Sequence, residues 1–449
     1  MSTQTVRAGA AEEAAERRRE QRGWYFYDWA CSVYSTSVLT VFLGPYLTAV
    51  AKHAADADGF VHPLGVPVRA GSFFAYAVSA SVILSIFVMP MAGAAADRTG
   101  RKKPLLAAAA YLGAGATAGM FFLDGDRYLL GGLLLIVANA SLAVSMVLYN
   151  SYLPQIAPPE ERDAVSSRGW AFGYAAGSVV LIANLILFTA HDSFGVSEST
   201  AVRICLASAG IWWGAFTLVP LKRLRDRHTP SAGRAPAHGW RQLAATVRDM
   251  RGKPLTLSFL LAYLIYNDGI QTVISQASVF GSEELGLSQS TLIVAVLLVQ
   301  VLAVGGALGM GRLARTYGAK RTILGSLVAW TLTLGAGYFL PAGAPVGFFV
   351  LASGIGLVLG GSQALSRSLF SHLVPPGKEA EYFSAYEMSD RGMSWLGPLL
   401  FGLTYQLTGS YRDAIISLVV FFVIGFVLLA RVPVRQAVRD AGNPVPDRI

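Results

Sequence analysis

Charge is what this chain has least of. Only 14% of its 449 residues are Asp, Glu, Lys or Arg, against 53% hydrophobic residues and a mean hydropathy of +0.49. Soluble domains carry about 25% charged residues, so there is too little polar surface here for a water-facing globule of this length. The composition reads as a polytopic membrane protein. Cysteine is nearly absent. Cys31 and Cys205 lie far apart in apolar runs, which excludes a disulfide framework. No Gly-x-x-x-x-Gly-Lys-Ser/Thr phosphate loop occurs, so ATP does not drive this chain directly. No His-Glu-x-x-His occurs, and all six histidines sit in loops or at the edges of apolar runs. That argues against an intramembrane metalloenzyme. Gly354-x-Gly356 lies inside an apolar run with no strand before it, so it is not a dinucleotide fingerprint. Residues 11–22 mix acids and bases with no apolar segment among them, which is not a cleaved signal peptide. Neither an enzyme, a cofactor nor a resident metal is expected.

The net charge of +9 suggests nucleic acid until the charges are placed. Thirty-one of the 36 Lys and Arg residues fall in the N-terminal tail, in the loops after Asp97 and from Arg312 to Arg321, at Arg162 and Arg168, from Lys222 to Lys253, from Arg367 to Arg391, and in the tail from Arg431. The others are Lys52, Arg69, Arg127, Arg203 and Arg412. The two groups alternate from one apolar run to the next, which is the positive-inside pattern with both termini cytoplasmic. The basic excess is therefore topological, and no nucleic-acid partner is implied.

Apolar runs occur at about 24–51, 71–96, 104–123, 128–153, 168–190 and 202–221, then at about 254–280, 290–311, 321–341, 345–370, 384–406 and 412–430. Each approaches the ~20 residues that cross a bilayer as a helix. The expected fold is an all-α membrane protein of twelve transmembrane helices in two bundles of six. Its parts are a cytoplasmic N-terminal tail (1–23), an N-terminal bundle (24–221), a basic cytoplasmic linker (222–253), a C-terminal bundle (254–430) and a cytoplasmic C-terminal tail (431–449). Within the linker, Trp240 to Met250 fits an interfacial amphipathic helix. The long external loop from Lys52 to Ala70 carries His53, Asp56, Asp58 and His62. It reads first as a solvated loop, with metal ligation as the alternative.

The halves repeat. Gly93, Asp97 and Gly100 lead the basic cluster Arg101, Lys102 and Lys103; Gly311, Arg315 and Gly318 lead Lys320 and Arg321 at one constant separation. Pro158-Pro159 and Pro375-Pro376, and Ser167-Arg168-Gly169 and Asp390-Arg391-Gly392, recur at nearly the same separation. This is an internal duplication with parallel halves. Glycines inside the runs, such as Gly305, Gly306, Gly356 and Gly360, read as sites of close helix approach.

Only Asp28 and Asp268 fall within apolar runs away from a loop, and a charge at such a depth costs about 2.5–3.5 kcal/mol on insertion scales. Asp268 lies ~21 Å along a helix from Pro254. It shares a face with Asn267, Gln271, Thr272 and Ser275, and Gly269 beside it offers a place for the helix to loosen. Substrate or proton contact competes with a polar interhelical clamp there. Asp28 lies one to two turns into its run. A functional acid competes with one that opposes a helix dipole, and Trp24 to Trp29 with an interfacial aromatic belt. Arg367 follows Gln363 on one face. It could bind a carboxylate bidentately or snorkel to the surface. Asn139, Asn150 and Asn184 are further cavity candidates.

The loop Gly93-x-x-x-Asp97-Arg98-x-Gly100-Arg101 resembles the signature loop of the major facilitator superfamily. Trp24-Tyr25-Phe26-Tyr27-Asp28-Trp29, Tyr266-Asn267-Asp268-Gly269-Ile270-Gln271, Gln363-Ala364-Leu365-Ser366-Arg367 and Leu396-Gly397-Pro398 are similar to its vacuole-effluxer-like branch. The resemblance runs from Trp24 to about Arg431. Cys31 departs from it, standing where the family commonly has Asn. The resemblance implies a central cavity lined by the first, fourth, seventh and tenth helices, and alternating access. Eukaryotic members are linked to amino-acid export from the vacuole. The expected function is ion- or proton-coupled transport of a small polar solute, with an amino acid the first class to test. Asp268, Asn267, Gln271, Asp28, Arg367 and Gln363 are the substrate or coupling residues. Gly93, Asp97, Arg98, Gly100, Arg101 and Arg391 are the gating residues, Asp97 through the helix N-terminus near Tyr382 to Ala385. A non-transporting receptor or scaffold, docking partners through the linker, is the alternative. Richness in Ala, Gly and Arg points to a bacterial plasma membrane.

Overall fold

The computed structural model describes residues 3–70, 73–226, 248–392 and 396–449. The interfacial helix expected at 240–250 lies mostly outside them. Among the described residues, apart from a two-stranded hairpin (β1, Phe60–Val61; β2, Val68–Arg69), the regular structure is helical. Ten helices among the described residues are long and apolar enough to cross a membrane.

The chain forms two compact units. One comprises residues 1–149 and 175–240, the other residues 150–174 and 241–449. In the first, α1 (Thr3–Val33) runs into a π-helical segment (Tyr34–Phe42) and then α2 (Leu43–His53). α3 (Phe73–Thr99), α4 (Lys102–Gly119) and α5 (Tyr128–Asn150) follow. α6 (Leu153–Ile156) and the start of α7 (Arg162–Thr189) belong to the second unit, while the end of α7 and α8 (Glu198–Arg223) belong to the first. The second unit continues with α9 (Pro254–Val279), α10 (Gln289–Tyr317), α11 (Ala319–Tyr338), α12 (Pro345–Ser371), α13 (Glu379–Gly392) and α14 (Leu396–Thr408). It ends with α15 (Tyr411–Ser417), α16 (Val419–Arg431) and α17 (Val434–Asp440).

Three sequence readings change. The first helix begins at Thr3, so Asp28 lies well inside it and the helix-dipole explanation for that acid fails. Trp24 and Tyr27 are fully buried, so they pack the unit rather than form an interfacial belt. α9 runs unbroken past Gly269. A Cβ there would stand 2.8 Å from that of Phe421, so this glycine admits α16 and does not loosen the helix.

The repeated loops each close on a glycine with positive φ, Gly100 at 65° and Gly318 at 88°, a region that L side chains avoid. Close approach through glycine holds α10 to α12. A Cβ on Gly306 would collide with the Leu357 carbonyl, one on Gly360 with the Ala303 carbonyl, and one on Gly356 would stand 2.8 Å from the Val299 oxygen. Neither backbone can yield, because each is a helix interior. Gly306→Val should therefore destabilise the protein by about 1–3 kcal/mol. A thermal melt of the purified variant reads this as a lower midpoint; an unchanged midpoint contradicts the packing.

The linker's described end is tied down by charge. Asp249 accepts a hydrogen bond from the Tyr382 hydroxyl (2.7 Å) and pairs with Lys378 Nζ (2.8 Å). Partial burial pushes the Asp249 pKa up, but Lys378 and Tyr382 together outweigh it and hold the carboxyl below its usual value. A depressed carboxyl stabilises the fold above its unfolded pKa, and that contribution is lost as pH falls through the folded value. Asp249→Asn should lower the melting midpoint at pH 7, and the deficit should shrink as pH falls below the ordinary carboxylate range. A deficit that stays equal as pH falls would contradict the assignment.

Candidate functional site

The second unit buries two charged side chains that the sequence singles out, and it treats them differently. Arg367, on α12, is 1% exposed and does not snorkel. Its guanidinium is satisfied by residues from the α5–α7 stretch. Nε donates to Ser166 Oγ (2.9 Å), Nη2 to the Ser166 carbonyl (2.9 Å) and Nη1 to Asn150 Oδ1 (3.3 Å). Its charge also lies 5.4 Å from the centre of the Trp170 ring, within cation–π range. Asn150 is oriented in turn, since its amide donates to Glu387 Oε1 (2.7 Å) on α13. The Ser166 hydroxyl donates to the Ala364 carbonyl one turn before Arg367 (2.7 Å). A planar fork with several fixed donors suits this set, and an ammonium does not. Gln363, the residue before Ala364, accepts from the Tyr174 hydroxyl (3.3 Å).

Asp268, on α9, is 3% exposed. Its Oδ2 accepts from the Gly397 amide in the first turn of α14 (2.8 Å), where the positive end of a helix favours an anion. Its Oδ1 is buried with no partner among the described residues. Asn267 is buried beside it and Gln271 is half-buried one turn on, whereas Ser275, expected on the same face, is exposed. Thr272 is committed to its own helix, donating to the Asp268 carbonyl (2.7 Å).

In the first unit, Asp28 accepts from the Tyr149 hydroxyl (2.6 Å). Tyr149 stacks on Trp24 at 4.4 Å, and the Trp24 indole donates to the Tyr149 carbonyl (2.9 Å). Cys31 touches Met146 through sulfur at 3.9 Å. In the repeated loop, Asp97 is buried and pairs with Lys102 (3.4 Å), while Arg98 and Arg101 are exposed and Gly93 is buried. The Lys103 amide donates to Asp226 (2.9 Å) beyond α8. The side chain of Arg391 lies outside the described residues. In the 52–70 loop, Asp56 accepts from the amides of Asp58 and Phe60 and from His62 Nε2 (2.9 Å), which builds a turn. Among the described residues no group of three or more His, Cys, Asp and Glu could hold a metal.

Ser166 was not among the sequence candidates. Its only signal was its place next to Ser167-Arg168-Gly169, an anchor of the internal repeat. Glu387 carries no signal in the sequence beyond being an acid at the start of an apolar run.

With this geometry in hand, the relatives fall into one group. The vacuole effluxer Atg22-like family matches residues 16–442. The chain belongs to that family. It is 30% identical over 419 residues to the uncharacterized MFS-type transporter YxiO of Bacillus subtilis (strain 168), covering 92% of this chain and 95% of the relative. It is 26% identical over 555 residues to autophagy-related protein 22-1 of Aspergillus niger, covering 94% and 90%. Among solved structures it is similar to the E. coli fucose:proton symporter FucP, with a TM-score of 0.69 at 13% identity over 93% of this chain and 98% of that one. It is also similar to the proton:xylose symporter XylE, with a TM-score of 0.66 at 15% identity over 94% and 96%. At such identities these two establish the fold alone. The protein is a multi-pass membrane transporter of the major facilitator superfamily, in its Atg22-like branch.

Arg367→Lys tests the reading of its pocket. Lysine keeps the charge but cannot reach Ser166 and Asn150 together, at a cost of about 1.5–3 kcal/mol per lost charged hydrogen bond. Its melting midpoint should fall well below that of wild type. A midpoint equal to wild type would mean that the guanidinium contacts carry no stability.

Proposed function

We propose that this protein moves a small polar solute by alternating access, driven by a proton or another cation, and that Asp268 is the group that binds the driving cation or the solute's ammonium. The observation that carries this is the open oxygen of Asp268. A buried carboxylate with one amide partner is costly to hold in an apolar unit. A cation or proton on the open side removes that cost, and moves with the solute when the site changes its exposure. Asn267 and Gln271 supply neutral polar groups on the same helix, suited to a zwitterion's remaining polar atoms. An amino acid is the first solute class to test, because the open carboxylate suits an ammonium and the chain belongs to a vacuole effluxer family.

Arg367 belongs in a different role. Its donors are engaged by Ser166 and Asn150, which leaves the fork poorly placed for a solute carboxylate. We assign it to a clamp that holds the 150–174 stretch on α12 in one state of the cycle and releases it in another. In this reading the chain forms two six-helix bundles joined by the 222–253 linker. Both termini face the cytoplasm of a bacterial plasma membrane, and the Asp97 and Arg315 loops lie on that side, where Asp97 gates. Lys378 and the other basic loop residues carry the same sidedness through the distribution of Lys and Arg.

The test is a thermal-shift titration of purified protein with individual L-amino acids, sugars and organic cations. A solute present at 100 times its Kd stabilises by about 2.7 kcal/mol. A saturable shift should appear with a polar solute and disappear in Asp268→Asn. Saturation unchanged in Asp268→Asn would remove this residue from the site.

A further inference from the structure

A second buried carboxyl in the same unit has no role in the reading above. Asp163 stands in the first turn of α7 and is 9% exposed, with its Oδ1 buried and without a partner among the described residues. Ser167 lies one turn further along the same helix face, 2% exposed, and its hydroxyl is also buried without a partner. From α12, the fully buried Ser368 sets its hydroxyl beside the Asp163 carboxyl without a well-formed hydrogen bond. The floor is Gly311 on α10, the leading glycine of the second repeated loop. A Cβ there would stand 2.5 Å from Ser167 Oγ and 3.7 Å from the Asp163 carbonyl. Three helices thus bring one carboxylate and two hydroxyls together, and the absence of a side chain on Gly311 leaves them room.

The neighbouring charges do not fill this role. Arg162 precedes Asp163 and its charge acts on that carboxyl, but its guanidinium donors are spent on carbonyls. Nε donates to Ala157 (3.2 Å), Nη1 to Ser371 (2.9 Å) and Nη2 to Pro154 (3.3 Å), and Nη1 also lies 3.4 Å from His372 Nδ1. Burial first, and then Arg162, hold the His372 pKa well below its usual value, so this imidazole is neutral. Glu160 and Glu379 act on Arg162 and add negative charge to the neighbourhood. Arg367, the residue before Ser368, is engaged by Ser166 and Asn150.

We propose that Asp163, Ser167 and Ser368 form a small-cation site, occupied by a proton or a sodium ion and independent of Asp268. A carboxylate with hydroxyl and carbonyl oxygens is the donor set of a hard monovalent cation. A proton on Oδ1 would neutralise the same charge. The site lies on the α7 and α12 segments that the Arg367 clamp joins, so its filling favours the joined state.

The experiment uses the full-length protein in lipid nanodiscs. Melting midpoints are recorded against NaCl at constant ionic strength, with choline chloride as the balance, and separately against pH at fixed sodium. A sodium-dependent midpoint that is lost in Asp163→Asn and kept in Asp268→Asn supports a sodium site. A pH-dependent midpoint with the same pattern supports a proton site. Ser368→Ala and Ser167→Ala each remove one oxygen, and should weaken sodium half-saturation about tenfold, as expected for the loss of one such contact. They carry the test if Asp163→Asn does not fold. Midpoints insensitive to both cations, a response undiminished in Asp163→Asn, or half-saturation unchanged in both serine variants would overturn the site.

Discussion

The guanidinium of Arg367 is the constraint on which the second unit turns. It is a permanent charge in an apolar interior, and such a charge is tolerated only when nearly every donor is met. Ser166 meets it twice and Asn150 once, Trp170 lies within reach of its charge, and Glu387 orients Asn150. The segment 150–174 belongs with the second unit and packs on α10, α12 and α13. Positions of Ser366, which meets the Tyr266 hydroxyl at 2.6 Å, and of Ser368 beside Asp163 follow from the face that α12 must present to satisfy this one group.

Against that satisfied charge stands one left open. Asp268 has one oxygen on the first turn of α14 and the other unpaired among the described residues. The contrast is the physical basis for separating the two residues' roles. A charge whose partners are all supplied by the protein holds helices together, and one whose partners are missing calls for a partner from outside. Loss of the clamp would be felt as stability, and loss of the open acid as response to solute and cation. In a transporter that alternates between states, the first kind of group sets which state is favoured, and the second sets what favours the change.

Much of this was legible in the chain. Apart from the first helix, which begins at Thr3 and not near Trp24, apolar run lengths located most of the membrane-spanning helices to within a few residues, because the thickness of a bilayer and the helical rise fix them. Gly100 and Gly318 marked equivalent turns because each needs a positive φ. Asp268 stood out because few charges sit deep in such runs. Local pattern failed where the answer depended on distant partners. Gly269 reads as a hinge until Phe421 is seen against it, and Trp24 reads as an interfacial ring until Tyr149 is seen stacked on it. The π-helical segment at Tyr34–Phe42 has no periodic signature beyond a run of hydroxyl and β-branched residues. There the Thr40 hydroxyl donates to the Ser35 carbonyl five residues back, at 2.8 Å. Ser166 and Asp163 carry no pattern of their own, since what matters is which faces of α10 and α12 meet them.

The central claim is that the open carboxylate of Asp268 couples a cation gradient to solute movement. Its most direct measurement is accumulation of radiolabelled L-amino acids by proteoliposomes, with and without an imposed proton or sodium gradient, for wild type and Asp268→Asn side by side. The account predicts gradient-driven accumulation in wild type and none in Asp268→Asn, while the variant remains folded and inserted. Accumulation in Asp268→Asn equal to wild type, with the same dependence on the gradient, would contradict it.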